Sequence, residues 1–368
     1  MNKTILRAGF AAGLSLASAT GWASCLSPLS GYQSAVSVGN VSQARYYLQN
    51  YPECFGGSQN TANIVMKNSA AAQFLAISNA FDMRNTGDGP VLADAAQLRG
   101  MAAGGAAGRW NLWGNIGIND TRQSYTAPNL AGTGINRIKN NMNTATTVFG
   151  LDYGLSPTAV LGVSAAYDDG DGVGKNSNGT QATTDVTGYM IAPYFGMQLS
   201  KAWAFDLSAG AGRGRLESPS SESDAGRWFA GANLSYNRWF DNIQLTGKAS
   251  YLHAVERYGD TKDSTLGKIA GSDARNTLDQ LRIGGQVGYW MNGVMPVASL
   301  AYTNDLRRKT TQFGASGNPI GRDGWLLGLG LNFYSVKDGV TGGVVYSREF
   351  GRGNQNQEGV MANINIRF

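Results

Sequence analysis

"GVMANINIRF", residues 359–368, alternates apolar and polar residues without a break. With a period of two, Val360, Ala362, Ile364, Ile366 and Phe368 share one face, while Met361, Asn363, Asn365 and Arg367 share the other. One face suits an apolar medium and the other suits water. A half-buried strand of a soluble sandwich alternates in the same way, but a last residue that is also an outward-facing aromatic fits the closing strand of a transmembrane barrel. The rest of the chain decides between the two.

Upstream, the same unit recurs from Arg109 onward. Strands are predicted over 109–118, 146–155, 158–168, 187–199, 203–212, 227–240, 243–254, 278–291, 294–303, 323–334, 339–349 and 358–368. They number twelve, and single-chain outer-membrane barrels use an even number. Their connections alternate in length. Ser156-Pro157, Ser200-Lys201-Ala202, Asp241-Asn242, Asn292-Gly293 and Ser335–Asp338 are tight turns. Between them lie long polar segments, 119–145, 169–186, 213–226, 255–277, 304–322 and 350–357, which are predicted as loops. Short turns on one rim and long loops on the other match the periplasmic and extracellular ends of an outer-membrane barrel.

The faces of the strands agree. Trp325, Leu327, Leu329, Leu331 and Phe333 oppose Gly328, Gly330 and Asn332. Asp152, Asp206, Lys248 and Arg282 fall at inward positions, where only a wet interior makes charge cheap. Trp203, Trp228, Tyr236, Trp325, Tyr346 and Phe368 stand near strand ends, as interfacial girdles require. Pro193 lacks a ladder donor and predicts a bulge or a weakened pair in its strand. The predicted fold is therefore all-β, a twelve-stranded antiparallel transmembrane barrel over 109–368 preceded by an α-helical segment.

Residues 1–23 read as a secretory signal: Lys3 and Arg7, an apolar run, then Gly21 and Ala23 at the small-residue positions before cleavage. No later window approaches the ~20 apolar residues of a membrane-spanning helix. Gly 51 and Tyr 16 against Cys 2 and His 1 suit a strand-rich, turn-rich chain in an oxidising compartment. The net charge of +5 is scattered along the sequence, which offers no organised surface for nucleic acid.

Residues 24–60 form a short segment carrying Cys25 and Cys54. Too small for an independent core without a staple, it is expected to hold a Cys25–Cys54 disulfide; a lipidated Cys25 or intermolecular pairing are the alternatives. Two cysteines and one histidine are too few for a structural zinc site. Residues 61–108 read as helical, with Ile64, Phe74, Ile77 and Phe81 at helical spacing in 61–84 and a second piece at 90–104 starting from Pro90. A helix of about twenty residues is ~30 Å long, enough to thread a barrel. Its small, polar face suits a lumen, and a position against the short-turn rim is the alternative.

Catalytic chemistry finds little support. A barrel lipid hydrolase needs a lipid-facing His and Ser, but Ser250 faces away from His253, the single histidine. Asp168, Asp169 and Asp171 could gather around a calcium ion, with a solvated loop as the plainer reading. No cofactor is expected.

The helix followed by twelve strands, the opening "GRWNLWGNIG", the phrase "TVFGLDYGLSPTAVLGVSAAYDDGDG" and the terminal Phe368 together resemble the translocator domain of type V autotransporters. The most specific part is Gly150, Asp152, Tyr153, Leu155 and Pro157. The resemblance implies passage through the secretion translocon, escort by periplasmic chaperones, and insertion by the barrel assembly machinery, which reads the last strand at Ile364, Ile366 and Phe368. It also implies an outer membrane of lipid and lipopolysaccharide as surroundings and an N-terminal passenger carried to the surface; a monomer is expected because the helix would occupy the one lumen. Some members of the family cleave the passenger at an Asn-Asn pair in the lumenal helix. Here Asn140-Asn141 lies in the first long loop, so self-cleavage is not expected. The leading function is surface display or translocation of the short N-terminal segment, and a porin-like channel is the alternative.

Overall fold

The computed structural model describes residues 38–50, 59–84, 109–128, 135–176, 181–219, 221–264, 267–268, 272–312, 315–316, 320–335 and 339–368, with 28, 30–32, 34 and 35. The signal segment, Cys25, Cys54 and the 90–104 piece lie outside the described residues. Two helices, α1 (Val41–Asn50) and α2 (Gln59–Arg84), precede the sheet. Asn40 caps α1 by accepting from the Gln43 amide at 3.1 Å, while its own Nδ2 donates to Gln43 Oε1 at 3.2 Å.

Twelve long antiparallel strands close into a barrel. They are β1 (Trp110–Pro128), β2 (Ile135–Ser156), β3 (Ala159–Asn176), β4 (Gln181–Gln198), β5 (Trp203–Ser218) and β6 (Ser221–Phe240). The second half is β7 (Ile243–Tyr258), β8 (Ala274–Tyr289), β9 (Val294–Gln312), β10 (Asp323–Ser335), β11 (Val340–Phe350) and β12 (Gln355–Arg367). Two-residue ladders at 262–263, 267–268 and 315–316 extend the long-loop end. Each strand pairs with its sequence neighbour, and β1 closes on β12 from Asn111↔Arg367 to Gln123↔Gln355. A barrel closed in this way leaves no unpaired edge in the lipid. At the Asn292-Gly293 turn, φ is 48° and 94°, the two left-handed residues that a tight hairpin of matching twist demands.

The strands are longer than the sequence pattern predicts. A membrane needs about 9–11 strand residues, yet β2 has 22 and β1 has 19. On β1 the outward apolar series Trp110, Leu112, Ile116, Ile118 ends before Asp120 and Arg122. Beyond that point both faces are polar, so the period-two contrast vanishes while the hydrogen-bond ladder continues. The segments predicted as loops over 119–145 and 169–186 are therefore mostly strand, at 119–128, 135–145, 169–176 and 181–186. Asn140-Asn141 accordingly lies on β2, opposite Gln123 and Arg122. Asp168, Asp169 and Asp171 lie on β3 rather than in a loop.

Pro193 produces a gap rather than a bulge. Pairing of β4 with β5 stops after Ile191↔Ala211 and resumes at Tyr194↔Ser208 in the same register. A bulge occurs instead between Asp279 and Gln280, where β9 supplies the additional Leu306.

Burial is inverted relative to a soluble protein. Phe149, Leu331 and Phe368 are 62%, 56% and 61% exposed, whereas Asp168 and Glu256 are fully buried in the interior. The lipid-facing rows begin and end in ring pairs, Trp110–Tyr153 and Trp203–Tyr236 toward the short turns and Tyr302–Trp325 toward the long hairpins.

Candidate functional site

The lumen is occupied by α2. At 1.5 Å per residue its 26 residues span about 39 Å, more than the hydrocarbon core. Its small residues allow close approach to the wall, and its larger ones lock into inward-facing glycines. The Phe74 ring covers Gly231 and the Phe81 ring covers Gly196, where a Cβ would fall 2.4 Å from either ring. Ala70, Ala76, Ile77 and Ala80 complete a core with Trp113, Val148, Met190 and Phe229 of the strands.

Polar side chains fix the register of the helix against the wall. Ser69 donates to Asp168, which also accepts from Thr146 at 3.1 Å and from Arg227 at 2.6 Å. Arg227 reaches Ser69 Oγ at 2.8 Å and forms an ion pair with Glu256 at 3.2 Å. Gln73 donates to Ser164 at 3.0 Å, and Ser78 donates to Asp206 at 2.9 Å. Lys248 meets Asp82 at 2.6 Å, and Ser235 donates to the same carboxylate at 3.0 Å. Asp168, Arg227, Glu256, Lys248 and Asp82 are thus ion-paired, and Asp206 is held by hydrogen bonds, as a low-dielectric interior requires.

Of the residues singled out by sequence, Asp152 accepts from Asn111 at 3.0 Å and from Tyr194 at 2.9 Å, and the Tyr194 hydroxyl accepts from Trp113 Nε1 at 2.7 Å. Asp206 is buried with Ser78 and Asn233 as donors. Lys248 and Arg282 line a cavity of about 350 Å³ between the Leu75–Asn79–Asp82 face of α2 and the wall that includes Ser299, Glu349 and Asn363. Gly150 lies beneath Trp113; Tyr153 faces outward and accepts from Arg109 at 3.0 Å; Leu155 is exposed, and Pro157 sits in the β2–β3 turn. Ile364, Ile366 and Phe368 face outward on β12.

The carboxylates of "YDDGDG" diverge. Asp168 points inward to Arg227, while Asp169 and Asp171 are exposed on the other face. Among the described residues no group of three acidic, His or Cys side chains could hold a metal ion. His253 is on the outer face, packed at a tilt against Trp228 with centroids 4.9 Å apart and bonded to Asp279, whereas Ser250 is buried on the lumenal side. The orienting carboxylate is therefore present beside His253, but the nearby serine is on the wrong side of the sheet.

Sequence reading missed a second ionic cluster that closes the long-hairpin end of the cavity. Arg352 contacts Asp305 at 2.8 Å and Glu349 at 3.0 Å, and Arg308 contacts Asp305 at 3.2 Å. Arg352 also donates to the backbone carbonyls of Gly321 and Arg322. No local pattern announces such a group, because its members come from two strands, β9 and β11, and the connection that follows β11.

The helix has a direction. Asn68 lies near Thr121 and Gln357, well up β1 and β12, whereas Met83 lies near Asn365 at the short-turn end. The chain thus enters α2 on the long-hairpin side. Tyr32 is fully buried there, and its hydroxyl is pushed up first by that burial and then by Asp260 and Asp273 of the β7–β8 connection.

Residues 112–347 match the family described as "Autotransporter beta-domain". Solved structures show the same fold at low identity. The translocator domain of the autotransporter NalP from Neisseria meningitidis aligns at TM-score 0.55 and 12% identity, covering 76% of this chain and 96% of that one. The transport unit of AIDA-I from Escherichia coli aligns at 0.53 and 11%, covering 70% and 90%. The beta domain of the Bordetella autotransporter BrkA aligns at 0.50 and 13%, covering 71% and 100%. No curated protein matches the chain.

Proposed function

The chain belongs to the autotransporter beta-domain family and forms an outer-membrane barrel, and we propose that this barrel displays the segment preceding α2 at the cell surface. The observation that carries the reading is the direction of α2. A helix entered from the long-hairpin side puts what precedes it outside the cell, if the short turns are periplasmic. Tyr32, buried among groups of the β7–β8 connection, supports the same placement.

The barrel serves in this reading as anchor and conduit, with no chemistry of its own. Its outward strand β12, apolar at Ile364, Ile366 and Phe368, is the surface offered to the assembly machinery after transit through the translocon and past periplasmic chaperones. Residues 24–60 are the displayed segment, and 61–108 the linker that crosses the lumen. Cys25 and Cys54 would staple the segment.

Surface labelling in intact cells tests the proposal. An epitope tag is placed after Ala23, with a second tag in the β7–β8 connection, between Tyr258 and Ala274, as control. Labelling of both supports display. Labelling of the control alone means that the segment remains periplasmic and leaves a plugged or porin-like barrel.

A further inference from the structure

Basic residues scattered in the sequence are gathered by strand register onto one outer wall. Residues paired across a sheet share a face. Arg213 on β5 pairs with Gly226, Gly226 with Arg257, and Arg257 with Arg275 on β8. All three arginines are exposed. At about 4.8 Å per strand, Arg257 and Arg275 are neighbours, and Arg213 stands about 10 Å from Arg257 across a glycine. A Cβ on Gly226 would meet nothing within 4 Å, so the space between them is open.

The height of this row matters. Trp228 pairs with Val255, one outward position below the Gly226–Arg257 pair, and the Trp228–His253 ring contact marks the upper aromatic girdle. The arginines therefore sit just beyond the girdle, where the headgroups of the outer leaflet lie. The row below adds Lys309, paired with Thr277 and exposed. Two outward positions below Arg275, Asp279 is engaged by His253 and Tyr251. Among the described residues, Arg213 and Arg257 enter no ion pair, whereas acids farther out, Glu217, Glu222 and Asp224, are taken by Arg215. The opposite wall is balanced: Arg122 pairs with Asp120 and Glu358, and Arg348 lies opposite Glu358.

We propose that the Arg213–Arg257–Arg275 strip docks the phosphate groups of the phosphorylated glycolipid in the outer leaflet. Guanidinium forks match phosphate oxygens, and the open space at Gly226 admits a headgroup between two of them. The site fixes one wall of the barrel to its lipid and is independent of what the lumen carries.

The test uses the full-length protein in phosphatidylcholine nanodiscs doped with diphosphorylated lipid A, read by native mass spectrometry of bound lipid. An arginine near an anionic lipid surface tightens association about fivefold, so the triple variant R213Q/R257Q/R275Q is expected to bind about a hundredfold more weakly. The R122Q/R348Q variant on the opposite wall should bind like the parent. Should the triple variant not fold, R257Q alone is expected to lose about fivefold. Equal binding by the strip variants and the opposite-wall control overturns the proposal. So does equal binding of lipid A stripped of its phosphates, or full displacement by millimolar inorganic phosphate, which would mark a site for a free anion rather than a lipid.

Discussion

Phe74 of the lumenal helix rests on Gly231 of β6, with the ring Cε2 2.4 Å from where a Cβ of residue 231 would be. The contact keys α2 to one height in the barrel, since a side chain at 231 and the ring cannot share the space. Gly231→Val is expected to lift the helix off the wall at a cost of about 1–3 kcal/mol, the usual penalty of overpacking. The barrel ladders should survive. Thermal melts followed by near-ultraviolet dichroism would show an earlier loss of Trp113 and Phe74 packing, with the strand signal unmoved; an unchanged profile would mean the contact does not hold the helix.

Arg227 links α2 to the wall by touching Ser69, Asp168 and Glu256 at once. Replacing it with Met leaves two buried carboxylates facing each other without a cation. Removing one partner of a buried pair costs about 3–5 kcal/mol. Arg227→Met should therefore raise protease cleavage within α2 in detergent, and adding Asp168→Asn and Glu256→Gln should recover much of the loss. Failure of the triple change to recover resistance would assign the effect to lost packing of the Arg227 guanidinium against Gly188 and Gly214.

The barrel was legible in the sequence because lipid writes a simple pattern: Trp325 to Phe333 alternate with small residues, and the Asn292-Gly293 turn marks one rim. The extent of the strands was not, because beyond Ile118 both faces of β1 meet water and only backbone pairing distinguishes strand from loop. The inward direction of Asp206 and Lys248 followed from parity alone. Their partners did not: Asp168 and Arg227 are 59 positions apart, and Asp305 and Arg352 are 47 apart, so only the register of the closed sheet brings them together. The same holds for Arg213, Arg257 and Arg275, whose clustering is a property of register and not of sequence proximity.

The cavity beside α2 makes a prediction about ion flow. It occupies about 350 Å³ on the Leu75–Asn79–Asp82 side of the helix, and the Arg352–Asp305–Glu349 cluster stands at its far end. In planar bilayers the parent is expected to pass only a small current. Deletion of residues 59–84 should raise conductance several-fold, and Arg352→Gln in the parent should raise it more modestly. A deletion variant as closed as the parent would show that the strands collapse inward and that the helix is not what fills the lumen.

Barrel closure depends on a reciprocal pair at the short-turn rim. The Trp110 amide donates to the Phe368 carbonyl at 3.1 Å, and the Phe368 amide donates back to Trp110 at 3.0 Å. These are the last rungs of the β1–β12 seam, and the exposed Phe368 ring lies at the membrane interface beside them. Phe368→Ala removes the ring and keeps both rungs; deleting residue 368 removes both. If the ring is what the assembly machinery reads, the two variants should be equally depleted from the outer membrane in cells. Both purified chains should still refold in detergent, with the deletion losing about 1–3 kcal/mol from two lost hydrogen bonds at a partly wet rim. Folding by heat-modifiable mobility and abundance by membrane fractionation separate the roles. Normal abundance of Phe368→Ala together with depletion of the deletion variant would assign the function of residue 368 to the backbone seam rather than to its aromatic side chain.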